Sequence, residues 1–342
     1  MKKPTKLWLE AELQSVWYGN NFSFWYLVLW PLSQLFRVLS TIRYWAYHYG
    51  LLKIWHAPVP VIVIGNISVG GTGKTPLTLW LVEFLRSQGL HPGVVSRGYG
   101  GSATQARAVS INDGAAIVGD EPLLLARRAG CPVWIGAQRS VAAKGLLAAH
   151  QECDVLVCDD GLQHYGLARD FEIAVVDGLR RYGNEMLLPA GPLRELPIRL
   201  NAVNAVVAHG GLAAQGEFSM RLAATVFRNL LDNALTKEVH AFSGHKVYAI
   251  AGIGNPQRFF NALDSLGIAS ETQAFPDHHI YKPEDFKLAG TRAIVMTEKD
   301  AVKCLTFAQP NWWYLEVSAE MDPALGGQVL DNIRKRNECK IA

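Results

Sequence analysis

The stretch Gly65-Asn66-Ile67-Ser68-Val69-Gly70-Gly71-Thr72-Gly73-Lys74-Thr75 decides the fold of this 342-residue chain. It follows the apolar run over residues 59–64 and leads straight into Pro76-Leu77-Thr78-Leu79-Trp80-Leu81-Val82. A strand that feeds a glycine-rich turn ending in Gly-Lys-Thr, with a helix opening behind it, is a cradle for phosphate. Backbone N–H groups and the positive end of the helix dipole face the anion, Lys74 neutralises the outer phosphates, and the Thr75 hydroxyl is placed to ligate Mg²⁺. Residues 68–75 (Ser68, Val69, Gly70, Gly71, Thr72, Gly73, Lys74 and Thr75) are therefore expected to hold a nucleoside triphosphate. The generic loop begins with glycine where this chain has Ser68; Gly70 and Gly71 keep the turn permissive. Gly252-Ile253-Gly254 lacks a third glycine and reads as a strand-to-helix turn.

Working outward, short β-branched runs alternate with helical stretches, the pattern of a mainly parallel sheet covered by helices. Strands are expected over 61–64, 93–96, 133–135, 155–158, 173–176 and 205–208, with helices over 76–88, 121–129 and 137–150. A second series begins near Lys246: strands over 247–251, 292–296 and 312–317, helices over 256–266, 299–304 and 324–336. Residues 212–243 have weak periodicity and read as a bridge. The expected fold is α/β, a P-loop NTPase-type sheet flanked by helices, in three segments: an N-terminal helical membrane-association arm (1–56), a P-loop core (57–243) and a smaller C-terminal α/β lobe (244–342). A nucleotide site between the two lobes would allow closure around substrate.

Composition fits a globular body, with 49% hydrophobic and 18% charged residues. Five cysteines, with no Cys-x-x-Cys pair and no zinc spacing, look like reduced buried thiols. The net charge of +3 is unevenly spread. Residues 1–56 carry Lys2, Lys3, Lys6, Arg37, Arg43 and Lys53 against Glu10 and Glu12, so 6 − 2 = +4, and the remainder is 3 − 4 = −1. The same segment holds six of the ten tryptophans (Trp8, Trp17, Trp25, Trp30, Trp45, Trp55) and Tyr18, Tyr26, Tyr44, Tyr47 and Tyr49. Aromatic rings and cations on apolar helices suit a membrane–water interface. A span competes, since no charge falls between Leu13 and Phe36. Gly19, Asn20, Asn21, Ser23, Pro31, Ser33 and Gln34 interrupt that stretch, however, and the clean apolar run 24–30 is far short of the ~20 residues a span needs. The acids at 10 and 12 ahead of the apolar core also fit a signal peptide poorly.

Six further constellations bear on the chemistry. Val155-Leu156-Val157-Cys158-Asp159-Asp160-Gly161 is an apolar strand ending in two acids, where a P-loop protein organises Mg²⁺; Asp160, or both acids, would do this, and an Asx turn is the alternative. Asp120 in Gly119-Asp120-Glu121-Pro122 is either a helix cap or a functional carboxylate. Asp277-His278-His279 in a loop could form an acid/base pair, with at most one histidine central because neighbours point apart. Arg97 in Ser96-Arg97-Gly98-Tyr99-Gly100, and Arg194 with Glu195 in Pro189-Ala190-Gly191-Pro192-Leu193-Arg194-Glu195, sit in rigid loops suited to a phosphate or polar sugar. Thr297-Glu298-Lys299-Asp300 could cap a helix or touch a base, but it has Glu where a guanine-recognising Asn-Lys-x-Asp needs Asn. That disfavours the runner-up reading, a P-loop GTPase or metal-insertion ATPase switch. The carboxylates around the loop count against a non-enzymatic membrane-binding module.

Together these motifs, in this order along essentially the whole chain, resemble the tetraacyldisaccharide 4′-kinase family of lipid A biosynthesis. Leu188-Pro-Ala-Gly-Pro-Leu-Arg-Glu195, Asp159-Asp-Gly-Leu-Gln-His164 and Phe275-Pro-Asp-His-His279 carry the resemblance alongside the phosphate loop, and Ser68 suits this family's version of that loop. The resemblance implies transfer of the ATP γ-phosphate to the 4′-hydroxyl of a tetraacylated glucosamine disaccharide 1-phosphate, with Mg²⁺, at the cytoplasmic face of the inner membrane. It implies Asp120 as the base, assisted by His278 with His279 as rival, while Lys74, Thr75, Asp159 and Asp160 hold nucleotide and metal, and Arg97, Arg194 and Glu195 face the acceptor. The expected partners are the acylated disaccharide and an inner-membrane lipid surface, with no nucleic acid and no obligate protein partner.

Overall fold

The structure, a computed structural model, describes residues 6–19 and 24–341, with side chains over 12–19 and 24–338. Lys2, Lys3, Asn20, Asn21 and Ser23, and the side chains of Lys6, Trp8 and Glu10, lie outside the described residues.

The arm is two helices, α1 (Lys6–Tyr18) and α2 (Phe24–His48). Pro31, Ser33 and Gln34, which interrupt the apolar run in sequence, sit within the single helix α2. Ser33 is buried and donates to Leu187 O at 2.8 Å, and Trp17 Nε1 donates to Pro189 O at 2.9 Å, so both helices dock on the 183–193 loop. Away from that contact α2 exposes Phe24, Trp25, Leu27, Val28, Trp30, Leu32, Leu35, Val38, Leu39 and Ile42. No helix among the described residues is long and apolar enough to cross a membrane.

The core follows as β1 (Val61–Gly65), α3 (Lys74–Ser87), β2 (Pro92–Ser96), β3 (Arg107–Ala108), α4 (Ala115–Val118), α5 (Asp120–Arg128), β4 (Val133–Ile135), α6 (Arg139–Ala149), β5 (Val155–Cys158), β6 (Phe171–Asp177) and β7 (Ala205–His209). Strands β1, β5 and β6 are buried at every position, as central parallel strands covered on both faces must be. The second half contributes β8 (Phe218–Asn229), β9 (Thr236–Lys237), β10 (Val247–Ala251), α7 (Pro256–Ser265), β11 (Ser270–Ala274), β12 (Ile294–Thr297), α8 (Glu298–Cys304), β13 (Trp312–Met321) and α9 (Pro323–Ile341).

All strands join one sheet in the order β11-β10-β12-β13-β8-β7-β6-β1-β5-β2-β4-β3, with β9 paired to β8. The bridge expected over 212–243 contains β8, a 12-residue strand that runs antiparallel to β13 from Asn229 opposite Trp313 to Met220 opposite Met321. Its periodicity is weak because β7 pairs only with Phe218, Ser219 and Met220, and β12 meets β13 only over 312–315. Residues 221–226 and 316–320 are therefore a ribbon of two strands without a third, half-exposed on both faces. The edge strand β11, Ser-Glu-Thr-Gln-Ala, gives no apolar signal in sequence. Helix α9 returns to the first half: Leu325, Val329 and Ile333 pack with Leu77, Leu81 and Leu85 of α3 in one cluster. The opposite face of β1 and β5 packs on α6.

Candidate active site

The phosphate loop lies between the end of β1 and the start of α3. Gly70 (φ 111°) and Gly73 (φ 95°) occupy backbone conformations closed to other residues, and a Cβ on Gly73 would stand 2.5 Å from His209 Nδ1. Over Gly70 and Gly71 there is open space instead. Helix α3 starts at Lys74, its cap Gly73 supplies no side-chain bond and Pro76 has no N–H, so the Lys74 and Thr75 N–H groups are the ones its first turn leaves without an intrahelical partner. The loop is held from behind: Asn66 Nδ2 donates to Thr72 Oγ1 at 3.1 Å, Ser68 bridges to Leu193, Val69 N donates to Pro192 O, and Ile67 O accepts from Arg194 N. His209 Nδ1 lies 2.9 Å from Thr72 O, and Arg258 of α7 reaches the same nitrogen at 3.1 Å.

At the end of β5, Asp160 has φ 48°, which turns its carboxylate toward the loop, where Oδ1 lies 3.5 Å from Lys74 Nζ. Arg194 Nη1 meets both Asp160 oxygens at 3.1 Å. Burial works against ionisation of Asp160, but Lys74 and Arg194 outweigh it and hold the group at about 2. Asp159 points the other way, into the protein, accepting from Thr78 Oγ1 at 3.2 Å and Ser96 Oγ at 3.3 Å. Burial and the charges of Glu121 and Asp160 push it up to about 7. Glu195 faces inward too: it takes Gln163 Nε2 at 2.6 Å and the Tyr165 hydroxyl at 2.8 Å, with Arg199 Nε at 3.3 Å. Tyr165 in turn packs edge-on against Tyr44 of α2, with ring centroids 5.5 Å apart.

Across the cleft, residues 158 positions apart meet: His278 Nδ1 lies 3.0 Å from Asp120 Oδ2. His278 has φ 58°, and Tyr99 packs edge-on against its ring with centroids 4.9 Å apart. Asp120 is buried at the amino end of α5 and also accepts from Glu121 N at 2.9 Å. Burial disfavours its charge; the His278 hydrogen bond and the ammonium groups of Lys299 and Lys303 more than offset this and hold it at about 2. His279 turns away, bonding Asp285 at 2.9 Å and stacking on Phe275.

Gly254, discounted in the sequence as a turn glycine, joins the two clusters. A Cβ there would stand 3.0 Å from Gly71 N and 3.5 Å from Asp277 Oδ2, so the phosphate loop and the Asp277-His278 loop are neighbours through a bare backbone turn. Only the position of Gly-x-Gly directly after a strand hints at this. Arg97, exposed at the end of β2, makes no hydrogen bond or ion pair with a described residue. Its charge, with those of Arg139, Arg43 and Arg169, adds to burial in lowering His164 to about 4. Glu298 pairs with Arg128 at 2.7 Å, and Thr297 caps α8 by accepting from Asp300 N, so the Thr-Glu-Lys-Asp segment is occupied in packing α8 against α5.

A phosphate cradle on a parallel sheet, with a carboxylate–imidazole pair facing it across a cleft, defines a P-loop phosphotransferase. The chain belongs to the tetraacyldisaccharide-1-P 4′-kinase (LpxK) family, whose profile matches residues 25–334. It is 46% identical to the tetraacyldisaccharide 4′-kinase of Methylobacillus flagellatus over 98% of both chains, and 49% identical to that of Aeromonas salmonicida over 94% of this chain and 96% of that one. Among solved structures, the "apo" form of LpxK from Aquifex aeolicus in complex with ATP matches with a TM-score of 0.75 at 26% identity, covering 91% of this chain and all of that one.

Proposed function

We infer that this chain is an ATP-dependent kinase that phosphorylates the 4′-hydroxyl of a tetraacylated glucosamine disaccharide 1-phosphate in lipid A biosynthesis. Family membership supports the reaction, and the observation that carries the residue roles is the Gly254 turn, which puts the phosphate loop beside the Asp277-His278 loop.

In this reading Lys74 and the first-turn N–H groups of α3 hold the β- and γ-phosphates and neutralise charge that grows in transfer. Asp120 accepts the proton of the acceptor hydroxyl at its carboxylate, while His278, donating from Nδ1, fixes the orientation of that carboxylate. Thr75 and Asp160 are the oxygen donors that would hold a hard cation such as Mg²⁺, while Asp159, expected beside them, is turned inward onto Thr78 and Ser96 and supports the strand end from behind. When bound, Mg²⁺ supplies charge neutralisation and in-line orientation of the transferring group. Arg194, now on Asp160, and Arg97, unpaired among described residues, are the cations available to the acceptor's polar head, and Glu195 holds the Gln163–Arg194 side of the cleft in place.

The segments divide accordingly: residues 1–56 dock the enzyme on the cytoplasmic face of the inner membrane, 57–243 bind nucleotide, and 244–342 supply His278. The apolar face of α2, with Arg37 and Arg43 on the same helix, supports that docking. Incubation with ATP, Mg²⁺ and an acylated disaccharide 1-phosphate, followed by mass analysis, should show the gain of one phosphate. ATP hydrolysis that is indifferent to the lipid would sink the assignment.

A further inference from the structure

We propose that Lys299, at the amino end of α8, is a positioning residue that bridges the two halves of the active site and holds Asp120 ready to accept a proton. The inference rests on the reading of Asp120 as the proton acceptor. Lys299 is part-buried in a shell of carboxylates drawn from both halves of the chain: its Nζ lies 2.9 Å from Glu121 Oε1 and 3.9 Å from Asp120 Oδ2 on α5, and 3.3 Å from Asp277 Oδ1 on the loop that carries His278. One turn on, Lys303 Nζ also lies 3.9 Å from Asp120 Oδ2, and it is bound more closely, at 2.7 Å, to Asp300. The charged and titratable groups around Asp120 are thus Lys299 and Lys303 from α8, His278 and Asp277 from the loop and Glu121 from its own helix.

Two features make the bridge specific. The position of α8 is fixed independently of Lys299, because the Thr297 cap and the Arg128–Glu298 pair seat the helix on α5 and aim its second residue at the carboxylates. Lys299 is also the group that touches Asp120, Glu121 and Asp277 together, so its ammonium screens three acids that would otherwise repel one another beside the reacting hydroxyl. Although burial works against its charged form, those carboxylates raise its affinity for the proton, and it stays an ammonium. Without it, Asp120 keeps its burial and loses a cation, so its pKa must rise and its orientation toward His278 loosen.

The test is a mutant cycle read in kcat with saturating ATP and lipid acceptor. Lys299→Met is expected to lower kcat by about tenfold or more while the KM for ATP stays within about twofold, because the lost interaction acts on the acceptor side. Its acid limb should move to higher pH by about one to three units, the shift expected when a carboxylate loses an opposite charge. Lys299→Arg should recover most of the loss. Combined with Asp120→Asn, Lys299→Met should add less than about twofold, since a residue that acts through another adds nothing once that other is gone. Lys299→Gln, which keeps a donor to Glu121 and drops the charge, carries the same reading if the Met variant does not fold. Normal turnover in either charge-neutral variant, or losses that multiply in the double mutant, would overturn the bridge while leaving Asp120 in place. Normal turnover in Asp120→Asn alone would overturn the proton-acceptor reading instead.

Discussion

The phosphate loop and the Asp120–His278 pair are two ways of building half of one active site. The loop is written in eleven consecutive residues, and each element that shapes it, strand, turn and helix start, is local. The pair joins positions 158 apart, one from each half of the chain, and exists only when the tertiary fold brings α5 against the second half. The difference teaches that the binding half of this chemistry is shaped by one stretch of chain and only braced by distant residues such as Leu193 and His209, whereas the proton-handling half is made by tertiary packing alone.

Substitutions can break that contrast. The largest effect is expected at the local site: Lys74→Ala should cut kcat by about a thousandfold or more with the fold intact, because it removes charge neutralisation needed chiefly in the transition state. Steady-state turnover with a thermal-melt control measures this, and near-normal turnover would dissolve the cradle assignment. Next, Asp120→Asn should lower kcat by about a hundredfold or more and leave ATP binding by calorimetry unchanged, since the side chain faces the acceptor. A matching loss of ATP affinity would mean that the two halves are not separable. His278→Ala should cost about tenfold in the same step, and His279→Ala should show its effect in melting temperature through the lost Asp285 bond. A crippled His279→Ala beside a normal His278→Ala reverses their roles. The smallest effect belongs to the arm: replacing Trp25 and Trp30 with Ser should reduce liposome flotation, and added salt should weaken the remainder by about 1 kcal/mol per well-placed Lys or Arg. Activity on detergent-dispersed acceptor should be spared, and equal losses on both substrates would mean that these rings serve the fold.

Legibility follows the same divide. The strands of the first half and the Gly-Lys-Thr turn can be read from periodicity and from one motif because their information is contiguous. Asp120 cannot: a carboxylate ahead of a helix serves equally as a cap, and only the resemblance to a family separates the alternatives. The His278-His279 doublet is silent on direction because what distinguishes the two is the φ of 58° at His278, a property of the folded loop. Glu195 reads as a substrate contact from its loop, yet its hydrogen-bond partners Gln163 and Tyr165 come from a segment that sequence gives no reason to place nearby. Strand β8 gives no clear signal for a simpler reason: half of it has no third strand beside it, so no fully buried face imposes alternation.

That bare stretch of β8 and β13 has a mechanical meaning. A flexible linker would let the halves of the cleft swing apart like jaws, but two strands bonded rung by rung resist stretching, and a two-stranded ribbon takes a stronger twist than a wider sheet. The register slip between Glu316 and Val317 falls within this stretch, where it interrupts the ladder and adds local twist. The ribbon therefore favours twist over opening between the halves, and a few degrees of such twist would carry His278 and Lys299 sideways across the mouth of the phosphate loop.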